Sequence, residues 1–323
     1  MPKVVMTLSV PGPAEGLLRE HCDLELLGEI LPAERYRAAI RGADAVLPQL
    51  RDRIDEAALE AAGPNLKVVS NYAVGLDNVD IPACTTRGIY VGHTPNVLTD
   101  ATADLAMTLL LAAGRRVVES DREMREGRYP GWRPDYLLGQ EVTGATLGVI
   151  GFGRIGQAVA RRAARGFQMR ILAYDPMGVS RMPDLEVEAC SLERILAESD
   201  FVSCHVPLTD ETYHLIGPAE LASMRRSAIL VNTSRGPIID EPALVEALQS
   251  GEIAGAGLDV YEHEPAMAPG LAQCANTVLL PHLGSATGKT RAAMGELAAR
   301  NILAVLDGGV PIACANPEVA EQR

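Results

Sequence analysis

The most constraining feature of this 323-residue sequence is a regular alternation of short apolar segments with helical patterns. From Leu147 onward, six segments of strand character follow one another: LGVI, RILAYD, FVSCHVP, AILVNTS, GAGLDV and TVLLPHL. The same alternation opens the chain, with VVMTLSV, AVLPQL and LKVVSNYA as strand segments. Strands joined by helices run parallel and are covered on both faces, so the sequence predicts an α/β fold of doubly wound parallel sheets.

Length and composition limit the classes of function. At roughly 100–200 residues per domain, the length predicts two domains. The formal net charge of −13 disfavours nucleic acid and anionic membrane surfaces as partners. No apolar run approaches the roughly 20 residues that span a bilayer, and no signal-peptide core precedes Pro11, so we expect a cytoplasmic protein. Six dispersed cysteines without a Cys-x-x-Cys pair predict reduced thiols and no metal site.

A glycine motif directly follows the segment LGVI. Gly151, Gly153 and Gly156 form a G-x-G-x-x-G pattern that opens a helical segment. Such glycines allow a tight turn, approach of the backbone to a pyrophosphate, and close packing of the helix on the strand. Asp175 ends the next strand segment, 24 residues after Gly151, where a carboxylate binds the ribose and favours NAD(H) over NADP(H). The alternative is that Asp175 only caps the turn before Pro176.

Charged side chains follow other strand segments. The carboxyl ends of parallel strands meet at the edge of the sheet where ligands bind. A cation (Arg235), two carboxylates (Asp259 and Glu264) and an imidazole (His282) follow such ends. They supply the local charge that an anionic substrate would need on an acidic protein. His205 lies within an apolar segment, and we interpret it as a core histidine.

These motifs make the sequence similar to the NAD-dependent D-2-hydroxyacid dehydrogenase family, and within it most similar to the glyoxylate and hydroxypyruvate reductases. The resemblance covers most of the chain in order, in the segments SNYAVGLDNVD (70–80), NVLTDATADLAMTLLLAAGRR (96–116), LGVIGFGRIGQAVARRA (147–163), VNTSRGPIIDEPALVEAL (231–248), GLDVYEHEP (257–265) and PHLGSATGKTR (281–291). It implies reversible, NADH-dependent reduction of glyoxylate or hydroxypyruvate to glycolate or D-glycerate.

By this resemblance, Arg235, Glu264 and His282 form the catalytic triad. The planar guanidinium of Arg235 would hold the carboxylate and carbonyl oxygens of the substrate. His282 would protonate the carbonyl oxygen as hydride arrives, or take the hydroxyl proton in the oxidation. Glu264, 18 residues before His282, would orient the imidazole and stabilise its protonated form.

The resemblance also implies contacts with the substrate and the cofactor. Backbone amides at Val74 and Gly75 would bind the substrate carboxylate, and Leu50 would cover the substrate; a simple turn is the alternative for Gly75. Asp259 would accept from the nicotinamide carboxamide, although a loop-capping carboxylate is the alternative. The remaining cofactor contacts would come from the glycine motif, Arg154, Ile155, Thr102, Asp175, Pro207, Thr233, Ser234, Arg235, His282 and Ser285.

The implied architecture has one domain inserted in another. A flavodoxin-like substrate domain would comprise residues 1–98 and 285–323, and a Rossmann-like dinucleotide domain residues 99–284, with the active site in a closing cleft. The helical pattern 100–116, with Asp100 as N-cap, is apolar nearly all round, which suggests a domain or subunit interface. We therefore expect a homodimer formed through residues 100–140.

Other functions stay open at this point. Another member of the family, such as a 3-phosphoglycerate dehydrogenase without a regulatory domain, would share these motifs. A protein of a different class, a dinucleotide-sensing co-repressor, would share the fold but not turn over a substrate. The physiological substrate, the direction of flux and the strictness of the preference for NAD(H) are not determined by these residues.

Overall fold

Short apolar segments form the strands of two parallel sheets in the structure, a computed structural model that describes residues 1–322. The strands are β1 Lys3–Met6, β2 Asp23–Leu26, β3 Ala45–Leu47, β4 Val68–Ser70, β5 Tyr90–Gly92, β6 Thr146–Ile150, β7 Arg170–Tyr174, β8 Glu188–Ala189, β9 Phe201–Cys204, β10 Ile229–Asn232, β11 Gly255–Leu258 and β12 Thr277–Leu279.

Helices follow most of these strands. They are α1 Ala14–His21, α2 Ala33–Ala39, α3 Glu56–Ala62, α4 Ile81–Thr86, α5 Thr99–Gly114, α6 Val117–Arg125, α7 Arg154–Phe167, α8 Leu192–Glu198, α9 Pro218–Ser223, α10 Glu241–Ser250 and α11 Gly288–Leu306. Short 3-10 segments lie at Gly236–Ile238, Leu271–Gln273 and Pro317–Gln322. Several helices begin at a side chain that accepts a backbone N–H of the first turn, namely Asp55, Asp80, Ser191, Asp240 and Thr287.

The contacts divide the chain into two units, which we number by their first residue. Unit 1 comprises Met1–Leu98 and the chain from Ser285 onward, and unit 2 comprises Thr99–Gly284. The sheet of unit 1 has the order β2-β1-β3-β4-β5, and all of its pairs are parallel. This is the strand order of flavodoxin-like sheets, in which the order reverses between β1 and β3. Helix α11 returns to this unit and packs on α1 and β4.

The sheet of unit 2 has seven parallel strands in the order β12-β11-β10-β9-β6-β7-β8. The six strands in the order β8-β7-β6-β9-β10-β11 have the doubly wound arrangement of dinucleotide-binding domains. Strand β12 is added beside β11. The α/β prediction with two parallel sheets is therefore confirmed. The expectation of six strands here was wrong by one, because β8 has two residues, too few to show a period.

Helix α5 is buried against other elements of unit 2. It packs against α7 and across β10 and β11, where Leu109 lies over Gly257. The prediction of Asp100 as N-cap was wrong, because the helix begins at Thr99 and Asp100 lies in its first turn. There the carboxylate is favoured by the helix dipole and accepts from Arg162 of α7 at 2.9 Å. Helix α6, polar and mostly exposed, was not predicted.

Two further observations concern the described part of the chain. No helix within residues 1–322 is long and apolar enough to cross a membrane. Over the same residues, no group of three or more His, Cys, Asp or Glu side chains is arranged to hold a metal ion.

Candidate active site

The glycine motif forms the turn between β6 and α7. Gly151 has φ +92° and lies so close to the β9 loop that a Cβ would approach the Val206 nitrogen to 2.5 Å. A Cβ on Gly156 would overlap the carbonyl of Gly151, so this position sets the packing of helix on strand. A Cβ on Gly153 would meet nothing within 4 Å. The turn thus leaves open space beside the first N–H groups of α7, as a bound anion requires.

Asp175 follows β7 and is bonded to the glycine turn. Its Oδ2 accepts from the N–H of Phe152 at 2.7 Å, and its Oδ1 accepts from the N–H of Met177 at 2.9 Å. The bond from Met177 is the turn-capping contact that was the alternative role for Asp175. The bond from Phe152 fixes the carboxylate against the G-x-G turn, where a ribose would lie in a dinucleotide site.

The loop after β10 carries Arg235. The Asn232 side chain organises it, since its Oδ1 accepts from Ser234 and its Nδ2 donates to the Arg235 carbonyl at 2.9 Å. A Cβ on Gly236 would overlap the backbone of Tyr261. Glycine at this position therefore allows the Arg235 loop to lie directly against the loop after β11.

His282 and Glu264 form a hydrogen-bonded pair. The Nδ1 of His282 lies 3.0 Å from Oε2 and 3.2 Å from Oε1 of Glu264. Burial alone would raise the pKa of Glu264, but the hydrogen bond and charge of His282, the N–H of Tyr261 and the charge of Arg235 together lower it. The backbone beside Arg235 lies against Tyr261 and Glu262, so the guanidinium charge acts on this carboxylate. About a third of each side chain in the pair is exposed, which leaves the site accessible.

The backbone of His282 is held in an unusual conformation by Asp259. His282 has φ +56°, a left-handed conformation that costs a non-glycine residue roughly 1 kcal/mol. Asp259 accepts from the N–H groups of Leu283 at 2.6 Å and Gly284 at 2.7 Å, and its carbonyl accepts from His282. Burial raises the pKa of the Asp259 carboxyl. The loop-capping role is thus observed, and the carboxamide contact stays a prediction.

Other predicted cofactor residues lie at or near the same edge of unit 2. Thr102 of α5 donates to the Gly284 carbonyl at 3.2 Å, beside Asp259. Arg154 is exposed at the start of α7 and Ile155 is half-buried. Pro207 is exposed after β9, whereas Ser285 directly follows Gly284 and is the first residue of the second segment of unit 1.

A buried hydroxyl group tests whether a nicotinamide dinucleotide fits this edge. Thr233 is 8 % exposed, and its Oγ1 is buried without a hydrogen-bond partner within the described residues. Buried hydroxyl groups are nearly always bonded, so a polar atom of a bound dinucleotide would be a fitting partner for this one. The open space at Gly153 and this hydroxyl on the same edge both fit a dinucleotide. Thr233 and the turn at Gly153 would contact different parts of the dinucleotide.

In unit 1, the predicted substrate residues lie on two loops. Val74 and Gly75 are half-buried after β4, and Leu50 is half-buried after β3. Asn71 donates to the Gly75 carbonyl at 3.0 Å and to Oδ1 of Asn78 at 2.9 Å. The Nδ2 of Asn78 in turn donates to the carbonyls of Asp52 and Gln49 at 3.0 and 3.2 Å, which ties the two loops together.

The resemblance is supported by comparison with known proteins. Residues 107–284 match the model of the D-isomer specific 2-hydroxyacid dehydrogenase NAD-binding domain. A glyoxylate reductase of Korarchaeum cryptofilum is 48% identical over 330 residues, covering 100% of this chain and 98% of that protein. The chain belongs to the D-isomer specific 2-hydroxyacid dehydrogenase family.

Solved structures of similar proteins agree with this chain over nearly the whole length. The TT0316 protein of Thermus thermophilus superposes with a TM-score of 0.90 at 45% identity, covering 97% of this chain and 99% of that one. An NADPH-dependent glyoxylate/hydroxypyruvate reductase of Sinorhizobium meliloti gives 0.83 at 30% identity, covering 98% of each. The protein is an oxidoreductase with a nicotinamide dinucleotide cofactor.

Several supporting residues of this dehydrogenase were missed from the sequence. Gly236 and Glu241 brace the loops of unit 2, and Asn71 and Asn78 those of unit 1. Gly236, Glu241 and Asn78 contact backbone groups more than 20 residues away, which no local pattern indicates, whereas Asn71 bonds the nearby Gly75 and Asn78. His205 follows β9, where burial lowers its pKa to about 4 and Ser203 bonds its ring at 2.8 Å, in keeping with a structural histidine.

Proposed function

We propose that the protein reduces glyoxylate or hydroxypyruvate to the D-2-hydroxy acid with NADH, and that Arg235, Glu264 and His282 carry the reaction. The observation that carries this proposal is the His282–Glu264 hydrogen bond of 3.0 Å, with the Arg235 charge acting on the same carboxylate. The glyoxylate reductases among its relatives support the choice of substrate.

Each residue of the triad has a distinct task. Arg235 binds the carboxylate and the carbonyl oxygen of the substrate through its planar fork. His282 is bonded to Glu264 through Nδ1, so its Nε2–H is the group that donates the proton to the carbonyl oxygen. Glu264 holds the ring in this orientation and stabilises the imidazolium. When bound, the nicotinamide dinucleotide supplies the hydride.

Replacing Arg235 tests its role. Arg235→Ala is expected to lower kcat/KM for glyoxylate by about a thousandfold or more, because two charge-assisted hydrogen bonds are lost. NADH binding, measured by its fluorescence, should persist. Arg226→Ala, at an exposed arginine of the same unit, is the matched control. Normal turnover by Arg235→Ala would overturn the assignment.

Replacing His282 and Glu264 tests the proton transfer. His282→Gln should remove the alkaline limb of the pH–rate profile for reduction together with most of the rate, since no side chain there can be protonated. Glu264→Gln should shift that limb to lower pH, because the imidazolium loses its carboxylate. Unaltered rates and profiles in both variants would exclude the pair from catalysis.

The two units have separate tasks in this proposal. Unit 2 binds the dinucleotide, and unit 1 contributes the amides of Val74 and Gly75 for the substrate carboxylate and Leu50 as its apolar cover. A panel of glyoxylate, hydroxypyruvate, pyruvate and 3-phosphohydroxypyruvate tests the substrate class. A preference for the phosphorylated acid would overturn it, and no turnover of any 2-keto acid would favour a binding protein.

NADH is the preferred cofactor in this proposal because Asp175 presents a carboxylate beside the glycine turn. The carboxylate accepts hydrogen bonds from ribose hydroxyls and repels a 2′-phosphate. Asp175→Ala should narrow the ratio of kcat/KM for NADH over NADPH by about tenfold, the worth of one hydrogen bond. The exposed Asp184→Ala is the control. An unchanged ratio would remove Asp175 from the ribose site.

We also propose a homodimer formed through residues 100–140. This region exposes several apolar side chains, including Trp132 at 83 % and Leu138 at 67 %, which a subunit interface would bury. Light scattering should give twice the chain mass, and the double variant Trp132→Ser with Leu138→Ser should reduce it. Met177→Ser, at another exposed apolar residue, should not. A monomeric parent protein would refute the dimer.

The cytoplasm is the proposed location. All six cysteines are free thiols, in keeping with a reducing compartment. Fractionation of the source cells should recover the protein with a cytoplasmic marker, and recovery with an extracytoplasmic marker would contradict this.

A further inference from the structure

Glu241 is a buried carboxylate that contacts the loop bearing Glu264 at two points. It is the first residue of α10 and is 4 % exposed. Its Oε2 accepts from the N–H of Glu262 at 2.8 Å, and its Oε1 accepts from the N–H of Ala268 at 2.8 Å. Glu264 lies between these two amides in the chain, so a single side chain closes the loop on either side of it.

A second contact holds the same segment from the other direction. The Glu262 carboxylate, whose side chain is 9 % exposed, accepts from the N–H of Glu241 at 3.3 Å. It also bonds the Nε2 of His214 at 2.9 Å. Glu241 and Glu262 thus form a reciprocal pair of side-chain-to-backbone bonds, which fixes the start of the loop on α10.

The cost of burying a charge explains why the carboxylate of Glu241 is surrounded by N–H donors. A buried charge is tolerated only when it is paired or fully hydrogen-bonded. Here two backbone N–H groups and the positive end of the α10 dipole face the carboxylate. A glutamate also spans both amides, which the shorter aspartate side chain would not.

The geometry of the loop determines the geometry of the proton-transfer pair. Glu264 lies 3.0–3.2 Å from the Nδ1 of His282 and makes a further bond to the N–H of Tyr261. A shift of the segment Glu262–Ala268 by 1 Å would lengthen the bond to His282 beyond useful range. The imidazole would then lose its orienting carboxylate.

We propose that Glu241 is a positioning residue for catalysis: by holding the amides of Glu262 and Ala268 it keeps Glu264 at hydrogen-bonding distance from His282. Glu241 itself touches neither substrate nor cofactor in this proposal. The inference rests on the proposed function, because it requires that Glu264 and His282 transfer the proton.

The test compares Glu241→Gln and Glu241→Asp with Glu246→Gln, a change at an exposed carboxylate on the same helix. Glu241→Gln keeps the shape but has one accepting oxygen for two N–H groups. Glu241→Asp keeps the charge but has a shorter reach. Both should lower kcat for glyoxylate reduction by about tenfold to a hundredfold, as expected for a misplaced catalytic group. The KM for NADH should stay within about twofold of the parent value.

The pH profile separates positioning from a merely structural role. Loss of the Glu264 contact removes support for the imidazolium, so the alkaline limb of the kcat profile should move to lower pH in the Glu241 variants. It should stay in place in Glu246→Gln. A Glu241 variant that folds, by circular dichroism, with the parent profile and kcat would overturn the inference. So would a variant that is less stable but keeps the parent profile.

Failure of the proposed function would give a different set of results from failure of the positioning role alone. If Glu264→Gln and His282→Gln leave the profile unchanged, the proposed roles of the pair fail, and this inference fails with them. If those two variants alter the profile and the Glu241 variants do not, only the positioning role is wrong.

Discussion

Asn78 in unit 1 and Glu241 and Asp259 in unit 2 hold loops at the carboxyl edges of their sheets with opposite chemistry. In unit 1, Asn78 donates to the backbone carbonyls of Gln49 and Asp52. In unit 2, Glu241 and Asp259 each accept from two backbone N–H groups. At each of these positions the side chain matches the backbone groups that it faces, carbonyls at Asn78 and amides at Glu241 and Asp259.

The two kinds of side chain respond differently to a change in pH. An amide bonded to carbonyls has no proton to lose near neutral pH, so its contacts are independent of pH. A carboxylate that accepts from two N–H groups forms strong, charge-assisted hydrogen bonds only while it is ionised. Amide and carboxylate are nearly the same size, so exchanging them tests the chemistry with little change in packing.

The largest effect is expected from Asn78→Asp in unit 1. The new carboxylate would face two carbonyl oxygens at a site 8 % exposed, with no N–H to give them. Burying such an unpaired acceptor should lower the free energy of unfolding by about 3 kcal/mol or more at neutral pH. The loss should shrink at low pH, where the carboxyl group is protonated. Denaturant unfolding followed by circular dichroism at pH 7.5 and 5 measures both.

Asn65→Asp, the same change at an exposed asparagine of unit 1, is the control. It should change stability by less than about 0.5 kcal/mol. If Asn78→Asp is as stable as its parent at pH 7.5, the amide does not hold the loops in the way described.

A smaller effect is expected from Gly236→Ala in unit 2, where loops touch backbone to backbone. The added Cβ would overlap the Tyr261 backbone, so either the Arg235 loop or the Glu264 loop must move. A shift near 1 Å should lower kcat/KM for glyoxylate by about a hundredfold. Steady-state kinetics with NADH measure this. Gly166→Ala, where a Cβ meets nothing within 4 Å, is the control. Parent activity in Gly236→Ala would show that the close approach is not needed.

The two edges also differ in how far the sequence predicts them. The motif glycines, Asp175 and the triad could be predicted because strand ends, spacing and chemistry coincide at one edge. Asn78 and Glu241 could not, although both lie in segments that carried the family resemblance. Glu241 follows the N-cap Asp240, where a glutamate is ordinarily solvated and favoured by the helix dipole. Only the fold shows that loop residues 21 and 27 positions later donate to it.

The same limit applies to secondary structure. Most of the strongly apolar segments were predicted within a few residues because burial imposes their pattern, but the short strands β2 and β5 of unit 1 were not predicted. Helix α6 has no buried residue, and β8 has two residues at the edge of its sheet, so neither leaves a pattern of burial in the sequence. Asp100 satisfies the composition expected of a cap, but the helix begins one residue earlier, at Thr99.

The smallest effect is expected from His205→Gln, which tests whether the stability of unit 2 depends on mild acid. Burial lowers the pKa of His205 to about 4, from an unfolded value near 6.5. The unfolded chain therefore binds a proton at pH values where the folded chain does not, and stability falls as pH decreases from about 6.5 towards 4. For this one group the loss between pH 7.5 and 5.5 is about 1 kcal/mol.

Glutamine can keep the bond to Ser203 but does not titrate, so His205→Gln should reduce the difference in unfolding free energy between pH 7.5 and 5.5 by about that amount. His21→Gln, at an exposed histidine of unit 1, should leave the difference as it is, because that ring meets water in both states. An equal pH dependence in His205→Gln and its parent would show that protonation of His205 does not lower the stability of unit 2.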